Sequence, residues 1–212
     1  MPEPTRTAFD RELADLDADV ACLAAQVGEA LGAAAEALVT GDHGVATKVV
    51  DDHAAVDGEI RRCEARAFEV LARQQPAAGD LRFLVTVVRL THELERSGKL
   101  VRHVASFASR PRAPLPSRLA GLLGRMAEEA HQLFQGAVEA YGRRDVASAE
   151  ALDVWDDRLD ELHRRFLAEL FRTPPDLATT IDVVLVGRYL ERVADHAVTI
   201  GHRIRYLVMG EL

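Results

Sequence analysis

The chain has 212 residues and a net charge of −8, with 34 acidic residues against 26 basic ones. That balance repels phosphate backbones, and no basic cluster with interleaved aromatics offsets it, so nucleic acid is not an expected partner. Cys22 and Cys63 lie far apart, with no CxxC pattern and no signal-peptide pattern before them, which fits thiols kept reduced in the cytoplasm.

The most apolar stretch, residues 18–39, carries Asp19, Gln26, Glu29 and Glu36, spaced so that they line one stripe of a helix. Three carboxylates in about 20 residues are too costly for a lipid span, so no direct membrane insertion is expected. Phe9, Leu13, Leu16, Val20, Leu23, Val27 and Leu31 step by four and three, the rhythm of a helix with one buried face. That helix stops at Thr40-Gly41-Asp42, and Asp42 is placed to cap the next. The second helix follows Val45, Val49, Val56, Ile60, Cys63, Ala67 and Val70, with His53 in the seam, and ends between Gln75-Pro76 and Gly79. Asp80 is the predicted N-cap of the third, which steps through Leu84, Val87, Thr91, Leu94, Gly98, Val101 and Ala105.

Residues 109–117 hold three prolines, which no helix crosses, because proline lacks the amide donor and clashes with the preceding turn. Beyond them the spacing predicts a helix near 117–141, a break at Gly142, a helix near 145–172, a break at Pro174-Pro175, and a last helix from Asp176 to about Met209. The second half repeats the first. A shift of 96 carries Asp80-Leu81 onto Asp176-Leu177 and Leu94-Glu95-Arg96 onto Leu190-Glu191-Arg192; a shift of 103 carries His53 onto Asp156 and Asp57 onto Asp160. The expected fold is therefore all-α: two tandem, similar three-helix bundles at residues 1–109 and 117–212, joined by a proline-rich linker at 110–116.

Asp156 and Asp160 are four apart on the fifth helix, and Glu191 and Asp195 are four apart on the sixth, so each pair projects from one helix face. Asp156 also occupies a step of the apolar rhythm, where a carboxylate is partly desolvated and needs a cation or a donor. If the two helices pack antiparallel, four carboxylates converge. Such a set suits hard or borderline divalent or trivalent cations, namely magnesium, manganese, iron or zinc. A solvated, salt-bridged face is the other reading, with Arg158, Arg188 and Arg192 as partners. The first half places His53, Asp57, Glu95 and Lys99 at the equivalent positions. There Lys99 can pair with Glu95 across one turn, so a first metal cluster at His53, Asp57 and Glu95 is expected to be weakened or lost.

No glycine-rich phosphate loop, GxSxG or HExxH pattern is present, so no enzyme is expected. A rival reading is a carboxylate-bridged di-iron oxidase or iron-handling bundle, for which Glu128 with His131 and Asp160 with His163 supply approximate Glu-x-x-His motifs. His103, His196 and His202 are expected to face water, and Trp155 to serve in packing.

The stretch QPAAGDLRFLVTVVRLTHELERSGKLVRHVA resembles the PhoU family signature, and DVVLVGRYLERVADHAVTIGHRIRYLVMGE resembles its second copy. The resemblance covers essentially the whole chain. It implies two similar three-helix bundles side by side and a non-enzymatic, cytoplasmic negative regulator of phosphate uptake and the phosphate-starvation response. The implied partners are the ATPase of the phosphate ABC importer and a sensor histidine kinase, with a homodimer also expected. It further implies metal clusters held by Glu/Asp-x-x-x-Asp pairs, which fall on Asp156/Asp160 and Glu191/Asp195, with His53/Asp57 and Glu95 as a partial first set. Lys99, His103 and Thr199 depart from the family pattern.

Overall fold

The structure is a computed structural model that describes residues 3–73 and 76–210. Gln75, half of the expected Gln-Pro turn, lies outside the described residues. Six helices follow one another: α1 Glu3–Thr40, α2 His43–Arg73, α3 Ala78–Ala108, α4 Ser117–Arg143, α5 Val146–Arg172 and α6 Leu177–Met209. They form two three-helix bundles, α1–α3 and α4–α6, as the apolar rhythm predicts.

The helix boundaries follow local chemistry. Asp42 Oδ1 accepts from the amides of Gly44 (2.9 Å) and Val45 (3.1 Å) and so caps α2. Asp145 caps α5 through the Ser148 amide, and Asp176 caps α6 through the Thr179 amide, each contribution worth about 1 kcal/mol. Two expectations are corrected. Asp80 is not an N-cap: α3 begins earlier, with Ala77 in the cap position, and Asp80 lies in the first turn, paired with Arg6 at 3.2 Å. The break after α4 falls at Arg144, in the left-handed region at φ 53°, rather than at Gly142. Arg144 bonds Asp17 and its guanidinium lies 4.1 Å from the Tyr141 ring, while the Tyr141 hydroxyl donates to Asp17 at 2.6 Å, so side-chain anchoring offsets the strained turn.

Four helices make a closed ring: α1 packs on α3, α3 on α6, α6 on α4, and α4 on α1. Helix α2 lies outside the ring against α1 and α3, and α5 lies outside it against α4 and α6. Leu16, Val20, Leu23, Val27 and Leu31 of α1 and their counterparts Leu119, Leu123, Met126, Ala130 and Phe134 of α4 are all buried, within a core that runs through both bundles. Helix α1 is long and apolar enough to cross a membrane, yet that apolar face is covered by its neighbours in the fold. The proline-containing segment is non-helical and fastened at both sides. Arg110 pairs with Asp182 of α6 at 3.2 Å, and Arg112 donates to the Phe107 carbonyl at 3.0 Å.

The seam between α3 and α6 holds a buried pair that the sequence reading missed. His196, expected to face water, is 6 % exposed, and its Nδ1 lies 2.6 Å from Glu93 Oε2. Two antiparallel helices from different bundles meet there, so a position that reads as the polar face of one helix is covered by the other. His103 and His202 are exposed as expected; His103 stacks on Tyr189 with centroids 5.2 Å apart, and His202 pairs with Asp153.

Candidate functional site

Helices α5 and α6 run antiparallel in close contact. At Gly201 a β-carbon would stand only 2.8 Å from the Ala149 carbonyl oxygen, so any larger residue would force the helices apart. This approach brings the two acidic pairs to one patch. Asp156 is half-buried, and its Oδ1 is sealed from solvent without a hydrogen-bond partner. Burial pushes its carboxyl up to about 6, and the negative charges of Asp195, Asp160, Glu191 and Asp157 push in the same direction. All four residues expected to form the second cluster therefore gather around Asp156, and Asp157 joins them as a fifth acid. Asp157 is the next residue on α5, so its field reaches Asp156 within that helix, without help from α6.

Salt bridging explains little of this patch. Arg188 pairs with Glu191, but among the described residues neither Arg158 nor Arg192 makes an ion pair with these acids. Nor do three ligand side chains close into a coordination shell among the described residues. The patch is a set of carboxylates around one orphaned, buried oxygen. Its donors fit a hard or borderline cation in type, and Asp156, Asp160, Glu191 and Asp195 would hold it.

The equivalent place in the first bundle is neutralised from within. Asp57 is buried and pairs with Arg61 at 2.7 Å, and Glu95 accepts from Lys99 at 2.8 Å, the pairing that the spacing predicts. That hydrogen bond holds the Glu95 carboxyl below its usual range. At His53 burial lowers the imidazole pKa; Asp57 opposes this, while Arg102, Lys99 and His103 reinforce it. The position homologous to Asp156 thus sits in a mixed field, with Asp57 opposed by Arg102, Lys99 and His103.

The donors of the di-iron reading are engaged elsewhere. Glu128 accepts from Gln132 at 2.6 Å, His131 lies against Gly32 of α1 with Gln135 at 3.3 Å, and His163 stacks on Phe166. Trp155 is 40 % exposed and packs over Gly136 of α4, as a packing residue does.

Comparison with known proteins agrees with this architecture. The family model described as "PhoU domain" matches twice, over residues 20–108 and 123–204, one match per bundle. A Mycobacterium leprae protein named phosphate-specific transport system accessory protein PhoU homolog 1 is 34 % identical over 209 residues, covering 97 % of this chain and 94 % of that protein. A Thermotoga maritima protein of the same name is 31 % identical over 210 residues, covering 96 % and 90 %. The crystal structure of PhoU from Pseudomonas aeruginosa superimposes with a TM-score of 0.87 at 26 % identity, covering 96 % of this chain and 100 % of that one. With both repeats matched and the helices superimposed end to end, the chain belongs to the PhoU family.

Proposed function

We propose that this protein is a cytoplasmic, non-enzymatic accessory regulator of phosphate transport. It restrains phosphate uptake and the phosphate-starvation response when phosphate is plentiful, by contacting both the ATPase of the phosphate ABC importer and a sensor histidine kinase. The observation that carries this reading is the full-length likeness to relatives named as phosphate-specific transport accessory proteins. The fold suits an adaptor: helices of 27 to 38 residues are about 40–57 Å long and present flat faces to other proteins. The working unit is a homodimer.

The carboxylate patch of α5 and α6 holds a divalent or trivalent cation. Bound there, a cation would supply positive charge to a place where the chain supplies only Arg188, on Glu191. Asp156 presents its buried oxygen, Asp160 and Asp195 offer exposed carboxylates, and Glu191 gives up its bond to Arg188. The first set, His53, Asp57 and Glu95, takes no metal while Arg61 and Lys99 remain in place.

Co-purification tests the adaptor reading. Tagged protein is expected to retain the importer's ATPase and the kinase's cytoplasmic domain, more strongly from phosphate-replete cells than from starved ones. Retention of neither at any phosphate level sinks it.

A further inference from the structure

The largest cavity described opens on the first bundle, where α1 and α2 part over α3. Its volume is about 560 Å³, within the range of small-ligand sites, about 300–1,000 Å³. The floor is aliphatic, made by Val27, Ala30, Val49 and Val101. His53 closes it over Gly98, while Lys48 and Arg102 stand in its wall with the exposed acids Glu29 and Asp52. Along α2 it extends from Val45 to Val56, about 16 Å at 1.5 Å per residue, which matches a compact ligand better than a docked helix.

The second bundle closes the same groove. Carried over by the repeat, Ala30 becomes Leu133, Val49 becomes Leu152 and Asp52 becomes Trp155, and the cavity at the corresponding place shrinks to about 150 Å³. The basic residues go too, Lys48 becoming Ala151 and Arg102 becoming Val198. Large apolar side chains narrow the groove in the second repeat, where Lys48 and Arg102 have no basic counterpart. In the first it is open, with these two cations in its wall beside Glu29 and Asp52. Among the described residues neither Lys48 nor Arg102 makes an ion pair, and Arg102 is half-buried, so its charge acts in a medium less screened than water. On His53 nearby, Asp57 is the strongest single charge, and Arg102, Lys99 and His103 act together against it.

We propose that the groove between α1 and α2 is a binding site for a small amphiphilic organic anion, whose apolar body rests on the valine floor and whose phosphate or carboxylate head meets Lys48 and Arg102. The site stands apart from the carboxylate patch and does not depend on it. The shape selects a body of naphthalene size, and the two cations select the charge. Inorganic phosphate, which has no apolar body, gains nothing from the floor.

Calorimetric titration of the full chain with 1-naphthyl phosphate tests this, with 1-naphthoate, 1-naphthol and inorganic phosphate as parallel arms. Naphthyl phosphate is expected to bind saturably at one per chain, naphthoate to bind more weakly at the same place, and naphthol and inorganic phosphate each to bind at least about tenfold more weakly than naphthyl phosphate. Replacing Lys48→Ala together with Arg102→Val, as in the second repeat, is expected to weaken naphthyl phosphate about tenfold while leaving naphthol unchanged. Asp52→Trp removes a negative charge as it fills the groove, so a loss of binding there reports space and not charge. Naphthol binding as tightly as naphthyl phosphate overturns the proposal, as does indifference to the double variant or to Asp52→Trp. No binding of naphthyl phosphate at all does the same. Should Asp52→Trp lose its helical signal, the exposed and half-buried positions of the double variant leave the charge test standing.

Discussion

His53 and Asp156 occupy one position in two copies of the same helical unit, yet they sit in different fields, mixed around His53 and acidic around Asp156. Around Asp156 the charges that move its pKa most are all acids, and one oxygen is sealed without a donor. Around His53 the acids Asp57 and Glu95 each pair with a base one turn away, Arg61 and Lys99; Arg164, the counterpart of Arg61, pairs with Glu161 instead, and Asp195 stands where Lys99 does. The difference shows how a duplicated scaffold specialises. Substitutions of a few side chains changed what each site can attract, while the ring of α1, α3, α6 and α4 kept the helices in place. The first copy paired its acids and opened a groove, although one Asp57 oxygen is sealed without a donor as one of Asp156 is. The second left most of its acids unpaired and closed the groove.

The sharpest way to break the comparison is at the seam that holds the copies together. His196→Leu leaves Glu93 buried beside an apolar group. The native pair holds Glu93 below the usual carboxylate range: burial pushes it up, and the His196 hydrogen bond and charge overcome that push. Loss of the partner is expected to cost about 3 kcal/mol at pH 7, read as a lower midpoint in urea. A depressed carboxyl stabilises above its unfolded pKa and ceases to do so as pH falls through its folded one. The deficit should therefore narrow in acid. His103→Ala, on the exposed side of the same seam, is expected to change stability by less than about 0.5 kcal/mol.

The second prediction concerns the cation. At a manganese, zinc or ferrous concentration about 100 times its dissociation constant, the wild-type chain is expected to gain about 2.7 kcal/mol, reversed by chelator. Asp195→Lys, which copies Lys99, should remove that response. Retention of the full response in this variant would place the cation elsewhere.

Asp156→Asn sharpens the same point without metal. A carboxyl raised above its unfolded value destabilises the fold as pH climbs past the unfolded pKa, and the penalty is complete above about 6. Removing the charge is expected to stabilise metal-free protein by about 2 kcal/mol at pH 7.5, after allowance for partial exposure, and to change nothing at pH 3. Thermal melts at the two pH values read it directly. The smallest effect is at the surface: Lys99→Ala is expected to cost no more than about 0.5 kcal/mol, because its ion pair with Glu95 is open to water on the lysine side.

Much of this was legible in the residues. Apolar steps of three and four place every helix, because a buried stripe on a helix has no other spacing. Asp42 and Asp176 mark their helix starts because the first turn leaves amides without partners, while Asp145, which caps α5 in the same way, was not singled out. Asp80 misled because an acid in the first turn looks the same as a cap until the backbone angles are known. The convergence of Asp156, Asp160, Glu191 and Asp195 followed from the repeat plus antiparallel packing. The burial of His196 did not, since it depends on how two bundles register across a seam that neither bundle's periodicity describes. The groove was equally hidden: it arises from volumes summed over three helices, with Ala30 where the other copy has Leu133.

Helices α2 and α5 each pack on two neighbours, whereas every ring helix packs on three, so the outer two are expected to open first. Amide exchange along α5 should then outpace that of α6 in protein stripped of cations, and slow once the mutual repulsion at its midpoint is quenched. An ion so placed would act as a latch on a lateral stave, leaving that flank firm when the latch is engaged and loose when it is not.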